Sequence, residues 1–156
     1  MREDSGDPSK TTPAPAGWRE LDLLTRHRVL TLERRYLFAL PKITVGRVTR
    51  EIVHELLDIA EEYETLLKGG AAVGLSVDVQ QVRTKIGDAI GSAAWACEAL
   101  HEPELARGHF VAAEMAYTRA GAVEQARRCR MELHRLSFYG ASDSTPPRRP
   151  TRAAAR

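Results

Sequence analysis

The chain has 156 residues, and its 23 Lys and Arg nearly cancel its 21 Asp and Glu, leaving a formal net charge of +2. That length suits one domain. No run is apolar enough to span a bilayer, the N-terminus lacks the apolar centre of a signal peptide, and two cysteines are too few for a disulfide scaffold. These features exclude membrane-spanning and disulfide-stapled classes and predict a cytoplasmic protein. Arg far outnumbers Lys and Ala is abundant, a composition common in high-GC bacterial genomes.

The ends differ from the middle. Residues 1–17 and 140–156 are rich in Pro, Gly, Ser, Thr and charge, cannot bury a core, and are predicted to be disordered tails, the second of them basic. The folded part is predicted to be residues 18–139, enough for one hydrophobic core. Trp18 to Leu40 reads as a first helix with Leu21, Leu24, Val29, Leu32, Tyr36 and Ala39 inward. Arg28 interrupts the stripe, which leaves open a kink or two shorter helices, and Pro41 is expected to end it. Lys42 to Gly46 reads as a short connection.

Val48, Ile52, Val53, Leu56, Ile59, Ala60, Tyr63 and Leu66 carry the clearest helical periodicity in the chain. Gly69-Gly70 is expected to stop this second helix, and GGAAVGL to form a flexible linker. Ser76 is placed to cap the third helix, with Asp78 in its first turn. Val79, Val82, Ile86, Ile90, Ala93, Cys97 and Leu100 form its stripe. Gly87 and Gly91 inside this helix each cost roughly 1 kcal/mol against Ala. Their spacing predicts close approach of a neighbouring helix, that of Ala112 and Ala116. His101-Glu102 reads as a turn. Leu56, Ile86, Ile90 and Tyr117 are the expected core anchors.

Residues 103–138 read as two helices joined at Ala120-Gly121. Pro103 suits a first helical turn, where its missing N–H costs nothing. Ala106, Phe110, Ala113 and Tyr117 share one stripe. Gly121 is placed to take a left-handed closing conformation, and Val123, Ala126, Cys129, Leu133 and Leu136 restart the stripe. With no convincing strand alternation anywhere, the predicted fold is all-α, an antiparallel bundle of about five helices.

The pattern Phe110, Ala113, Ala116, Tyr117, Gly121, Ala126 resembles a tetratricopeptide repeat over about one unit of 34 residues. It departs from the repeat at Glu114, where a small residue is expected, at Arg130, where an aromatic is expected, and at Leu133 and Phe138, where alanine and proline are expected. The resemblance implies repeat-like helix pairs, although an ordinary helical hairpin accounts for the same residues. More broadly, a small all-helical chain of this composition resembles the small helical proteins associated with CATRA domains, which accompany caspase-like proteases and tetratricopeptide repeats. That resemblance implies an accessory component of a bacterial conflict system, such as anti-phage defence, working beside a separate protease or effector.

Catalytic and metal chemistry find little support in the residues. Glu51/His54 and Glu98/His101 have the Glu-x-x-His spacing of di-iron bundles. His54, however, lies about 170° from the centre of its helix's apolar face, Glu98 about 100° from its own, and His101 sits at a helix end. Cys97 and Cys129 lie on apolar stripes, where a nucleophilic thiol would need a polar site and a base. GGAAVGL lacks the Lys-Ser/Thr of a phosphate loop. No catalytic residue, cofactor or metal is therefore predicted.

Charge says more. Arg26, Arg28, Arg34, Arg35, Lys42, Arg47 and Arg50 make the first helix and its connection basic, and Glu51, Glu55, Asp58, Glu61, Glu62 and Glu64 make the second acidic, so the two are expected to pair. The last helix carries Arg127, Arg128, Arg130 and Arg135, predicted to contact a larger protein partner, for which the resemblance implies a protease or a tetratricopeptide-containing effector. The expected function is a non-enzymatic interaction module or adaptor. The alternative is a nucleic-acid-binding regulator using these arginines and the basic tail, though no interleaved aromatic supports base stacking.

Overall fold

Five helices make up the regular structure of the described residues, 16–71 and 79–142 of a computed structural model, with side chains described from Leu23 to Gly69 and from Val79 to Phe138. They are α1 (Ala16–Thr44), α2 (Arg50–Ala71), α3 (Val79–Ala99), α4 (Pro103–Ala120) and α5 (Val123–Ser142). The all-α expectation holds. The predicted tails lie almost wholly outside the described residues, as do Ser76 and Asp78.

Two helix ends fall elsewhere than the residues suggested. α1 is one helix that continues past Arg28 and through Pro41 for another turn. Proline removes its own N–H bond but keeps its carbonyl, and here the Val45 N–H donates to that carbonyl at 3.0 Å while the Thr44 hydroxyl donates to the Leu40 carbonyl. The turn ends at Gly46, whose φ of 71° is the left-handed closure a helix C-terminus favours. α2 likewise runs through Gly69 and Gly70 to Ala71; glycine weakens a helix without forbidding it.

The C-terminal hairpin follows the residue types. Pro103 opens α4, and Gly121 closes it at φ 70°, ψ 13°, with its N–H donating to the Thr118 carbonyl. The turn before α4 has an unexpected device: His101 takes φ 59°, a left-handed conformation uncommon outside glycine. The Glu102 N–H then reaches back to the Cys97 carbonyl at 2.9 Å and seals the end of α3.

α3 is the centre of the molecule, packed between α2 and α4. It is buried on several sides, by Ala89, Ala93, Ala94 and Ala96 as well as by Val82, Ile86 and Cys97. Small side chains let both neighbours approach. One cluster joins Ile52, Val53 and Leu56 of α2 to Phe110, Ala113 and Tyr117 of α4 through the C-terminal half of α3. A second joins Leu32 of α1 to Ile59, Tyr63 and Ile86. Ile90 is half-buried at the margin of both clusters, so it is no central anchor. Val79 is exposed as well.

The close approach at the α3 glycines is to α4, as expected, but through different residues. Gly87 lies under the Tyr117 ring and Gly91 beside Ala113, in place of Ala112 and Ala116. A Cβ on Gly87 would stand 2.7 Å from Tyr117 Cδ1 and Cε1. The ring cannot swing aside freely, because its hydroxyl donates to Asp88 Oδ1 at 2.7 Å. Gly87→Ala should therefore destabilise by about 1–3 kcal/mol through overpacking, less the helix propensity gained. A Cβ on Gly91 would meet Ala113 at an ordinary 3.8 Å, and Gly91→Ala should stabilise by up to about 1 kcal/mol. Urea unfolding of the two variants checks the opposite signs; equal effects would contradict this packing.

The opposite charges of α1 and α2 do pair, mainly through one residue. Arg35 grips Glu55 with two hydrogen bonds of 2.7 and 3.1 Å and also bonds Glu62. This holds the Glu55 carboxyl below its ordinary range. Lys85 of α3 takes Glu33 of α1, and Arg50 takes Glu102. α1 also shows a departure. Leu32 and Ala39 are buried, but Leu24 faces outward with Leu23, Leu30, Leu37 and Phe38. Apolar residues thus occupy two opposite sides of α1, only one of which meets the bundle.

Candidate partner-binding surface

The four arginines expected to bind a partner all lie on α5, and each meets a carboxylate of this chain. Arg127 and Arg128 share Glu124 of the preceding turn, at 3.3 and 3.6 Å. Arg130 crosses to Glu114 of α4 at 3.1 Å. These are precisely placed by neither burial nor bidentate geometry, and all three remain mostly exposed. Arg130 and Glu114 are two of the positions that depart from the tetratricopeptide pattern, and the departures compensate: a small residue beside an aromatic is replaced by an ion pair across the hairpin.

Arg135 is different. Its guanidinium bonds Glu98 of α3 and Glu132 of its own helix, both at 2.6 Å, and lies over the Trp95 ring at 5.7 Å. The two carboxylate hydrogen bonds raise its pKa further. It braces α5 against α3, so its side chain is committed to the fold. Glu98, of the Glu98/His101 pair weighed above for its Glu-x-x-His spacing, is engaged by the same bond.

What sequence reading missed is the apolar part of the α5 surface. Met131 is 58% exposed and Phe138 65% exposed, with the Phe138 ring edge-on to His134 at 4.8 Å. Val123, placed on the inner stripe by periodicity, is exposed too. Val123, Arg127, Arg130, Met131, His134 and Phe138 fall within one broad helical stripe opposite Ala126, Cys129 and Leu133. Between Arg127, Met131, His134 and Arg135 lies a shallow depression of about 450 Å³. The signal was available: these residues repeat at intervals of three and four, like the inner set.

Beside this face, α3 and α5 flank a groove of about 520 Å³ floored by Phe110 and Tyr117 of α4. Trp95, 45% exposed, forms one wall and packs edge-on against Phe110 with ring centroids 5.3 Å apart. Arg128 and Glu132 edge the other wall. At the α1 end, the Tyr36 hydroxyl lies 3.0 Å from Ser92 Oγ. Neither Trp95 nor the Tyr117–Asp88 hydrogen bond was legible, since both depend on which turns of α3 and α4 lie opposite each other.

His54 is exposed, and among the described residues no group of three or more His, Cys, Asp or Glu converges on a point. Cys97 and Cys129 are buried and reduced. Burial pushes both thiols up, Cys129 to about 11 with added repulsion from Glu114 and Glu132. Among the described residues no helix is long and apolar enough to cross a membrane. No protein-family model matches the chain, and no significantly similar curated protein or solved structure was found.

Proposed function

We propose that this chain is a non-enzymatic protein–protein interaction module that offers the outer face of α5 to a helix of a larger protein. The observation that carries the reading is the exposure of Val123, Met131 and Phe138 beside Arg127 and Arg130 on the last described helix. In a stack of helical pairs, such a face is the one the next helix covers. Apolar side chains supply the buried area, and the exposed arginines at the margin offer their remaining hydrogen-bond donors. In the setting the family resemblance implies, the module is a cytoplasmic adaptor of a bacterial conflict system, and its partner an effector or protease. The intrachain pairing of all four arginines weighs against the nucleic-acid alternative, because their charge is already partly neutralised.

The test is co-expression with any effector or protease that a neighbouring gene encodes. The wild type should retain that protein through purification, and Met131→Asp/Phe138→Asp should release it. Arg127→Ala/Arg128→Ala/Arg130→Ala should weaken retention while leaving the helical circular dichroism unchanged, since exposed pairs contribute about 0–1 kcal/mol each. Full retention by the Asp variant would contradict the assigned face. Duplex DNA binding with a steep salt dependence that the triple variant flattens would favour the nucleic-acid reading instead.

A further inference from the structure

The outer side of α1 carries a second apolar surface with a different charge environment. Leu23, Leu30 and Leu37 recur every seventh residue, with Leu24 and Phe38 beside the first and last; all five are 56–77% exposed. A seven-residue recurrence is the spacing a second helix needs to lie along the first at a small crossing angle. From Leu23 to Phe38 this seam is about 22 Å long, four turns of helix. At on the order of 100 Å² per large side chain, the seam offers a substantial part of the roughly 800 Å² that each side of a stable interface buries.

The C-terminal end of the seam opens into a concavity of about 820 Å³ between α1 and the start of α2. Phe38, Ala39 and Ile52 give it an apolar floor, and Arg34, Lys42 and Arg47 stand around it. None of these three cations forms an ion pair among the described residues. Of the carboxylates near them, Arg35 takes Glu55 and Glu62 and Lys85 takes Glu33, which leaves Glu51 of the lining, hydrogen-bonded to Thr49, against three cations. This separates the α1 face from α5, where every arginine of the face has a carboxylate at hand.

We infer that the outer face of α1 is a second docking surface, whose occupant is an acidic amphipathic helix of a partner protein. Its leucine-type residues lie along Leu23, Leu30, Leu37 and Phe38, and its Asp or Glu side chains reach Arg34, Lys42 and Arg47. Charge decides against a second copy of this chain. An antiparallel pair centred on Leu30 sets Arg34 against Arg26, and a parallel pair sets Arg34 against itself, so like charges meet in either register. An acidic helix turns the same three cations into attractive, salt-sensitive contacts. The surface is separate from the α5 face, so the module would bridge two proteins.

The probe is a labelled three-heptad helical peptide with Leu at the a and d positions and Glu at e and g, titrated by fluorescence anisotropy at physiological salt. The wild type should bind it, more weakly as salt rises. Leu30→Ser/Phe38→Ser and Arg34→Glu/Lys42→Glu should each weaken binding by about tenfold or more. Both pairs are exposed, so the circular dichroism should not change. Met131→Asp/Phe138→Asp, on α5, should bind the peptide like the wild type, which keeps this test apart from the previous one. The inference is overturned if the seam variants bind unchanged, or if a Lys counterpart of the peptide binds equally well. It is also overturned if sedimentation shows a dimer of the free protein that Leu30→Ser/Phe38→Ser dissociates. Flotation with phosphatidylserine vesicles that the same variant abolishes, without peptide binding, would assign the face to a membrane surface.

Discussion

Phe110→Ala is expected to destabilise the protein by about 3–5 kcal/mol, the largest loss among single core truncations. Phe110 is 1% exposed and sits where α3, α4 and α5 meet. Its ring packs against Trp95, which in turn carries the Arg135 guanidinium. Deleting it leaves a cavity at the junction of three helices, and the lost transfer energy and the cavity add. Urea unfolding followed by circular dichroism measures the effect. A loss near 1 kcal/mol would mean that α5 is not held on the bundle in this way. In that event the Trp95 indole should also report no change of environment.

Leu56→Ala should cost about 2–5 kcal/mol. Leu56 is fully buried, on the face of α2 that meets α3. The informative comparison is Ile90→Ala, which removes the same number of carbons from a position of similar periodicity on α3. Ile90 is only partly buried, so its truncation should cost less than that of Leu56. Equal losses at the two sites would contradict the arrangement of α3 between α2 and α4.

That comparison also shows how far residue pattern reaches. Periodicity identified the stripe of α2 almost residue for residue, because α2 has one apolar side and one acidic side. It misassigned Leu24 because α1 has two apolar sides, and spacing alone cannot say which one meets the bundle. On α3 it found the large residues and passed over Ala89, Ala94 and Ala96, which are buried because helices pack on more than one side. Helix ends were legible where the chemistry was local, as at Pro103 and Gly121. They were misread where a breaker was tolerated, as at Pro41 and Gly69. The turn at His101 was legible, but its left-handed φ was not.

The candidate surface divides in the same way. The arginines of α5 stood out as a charge run, but their separate roles depend on tertiary neighbours. Arg135 became a brace only because Glu98 of α3 lies opposite it, and Arg130 a hairpin tie because Glu114 does. The exposed companions Met131 and Phe138 were overlooked because apolar residues on a helix read first as core. Charge pairing between α1 and α2 was anticipated as a general tendency; that Arg35 would take two carboxylates and leave Arg34 and Lys42 without an ion pair could come only from the packed geometry.

Apolar residues also lie exposed on α4, at Leu105, Val111 and Met115, so the location of a bound partner is the decisive observation. Hydrogen–deuterium exchange of the protein with and without a protein that co-purifies with it supplies it directly. Binding through the proposed module predicts added protection across residues 123–138 of α5, with α4 unchanged on its outer turns. Protection centred on α4, with α5 exchanging as in the free protein, would contradict the assignment of the partner-binding face.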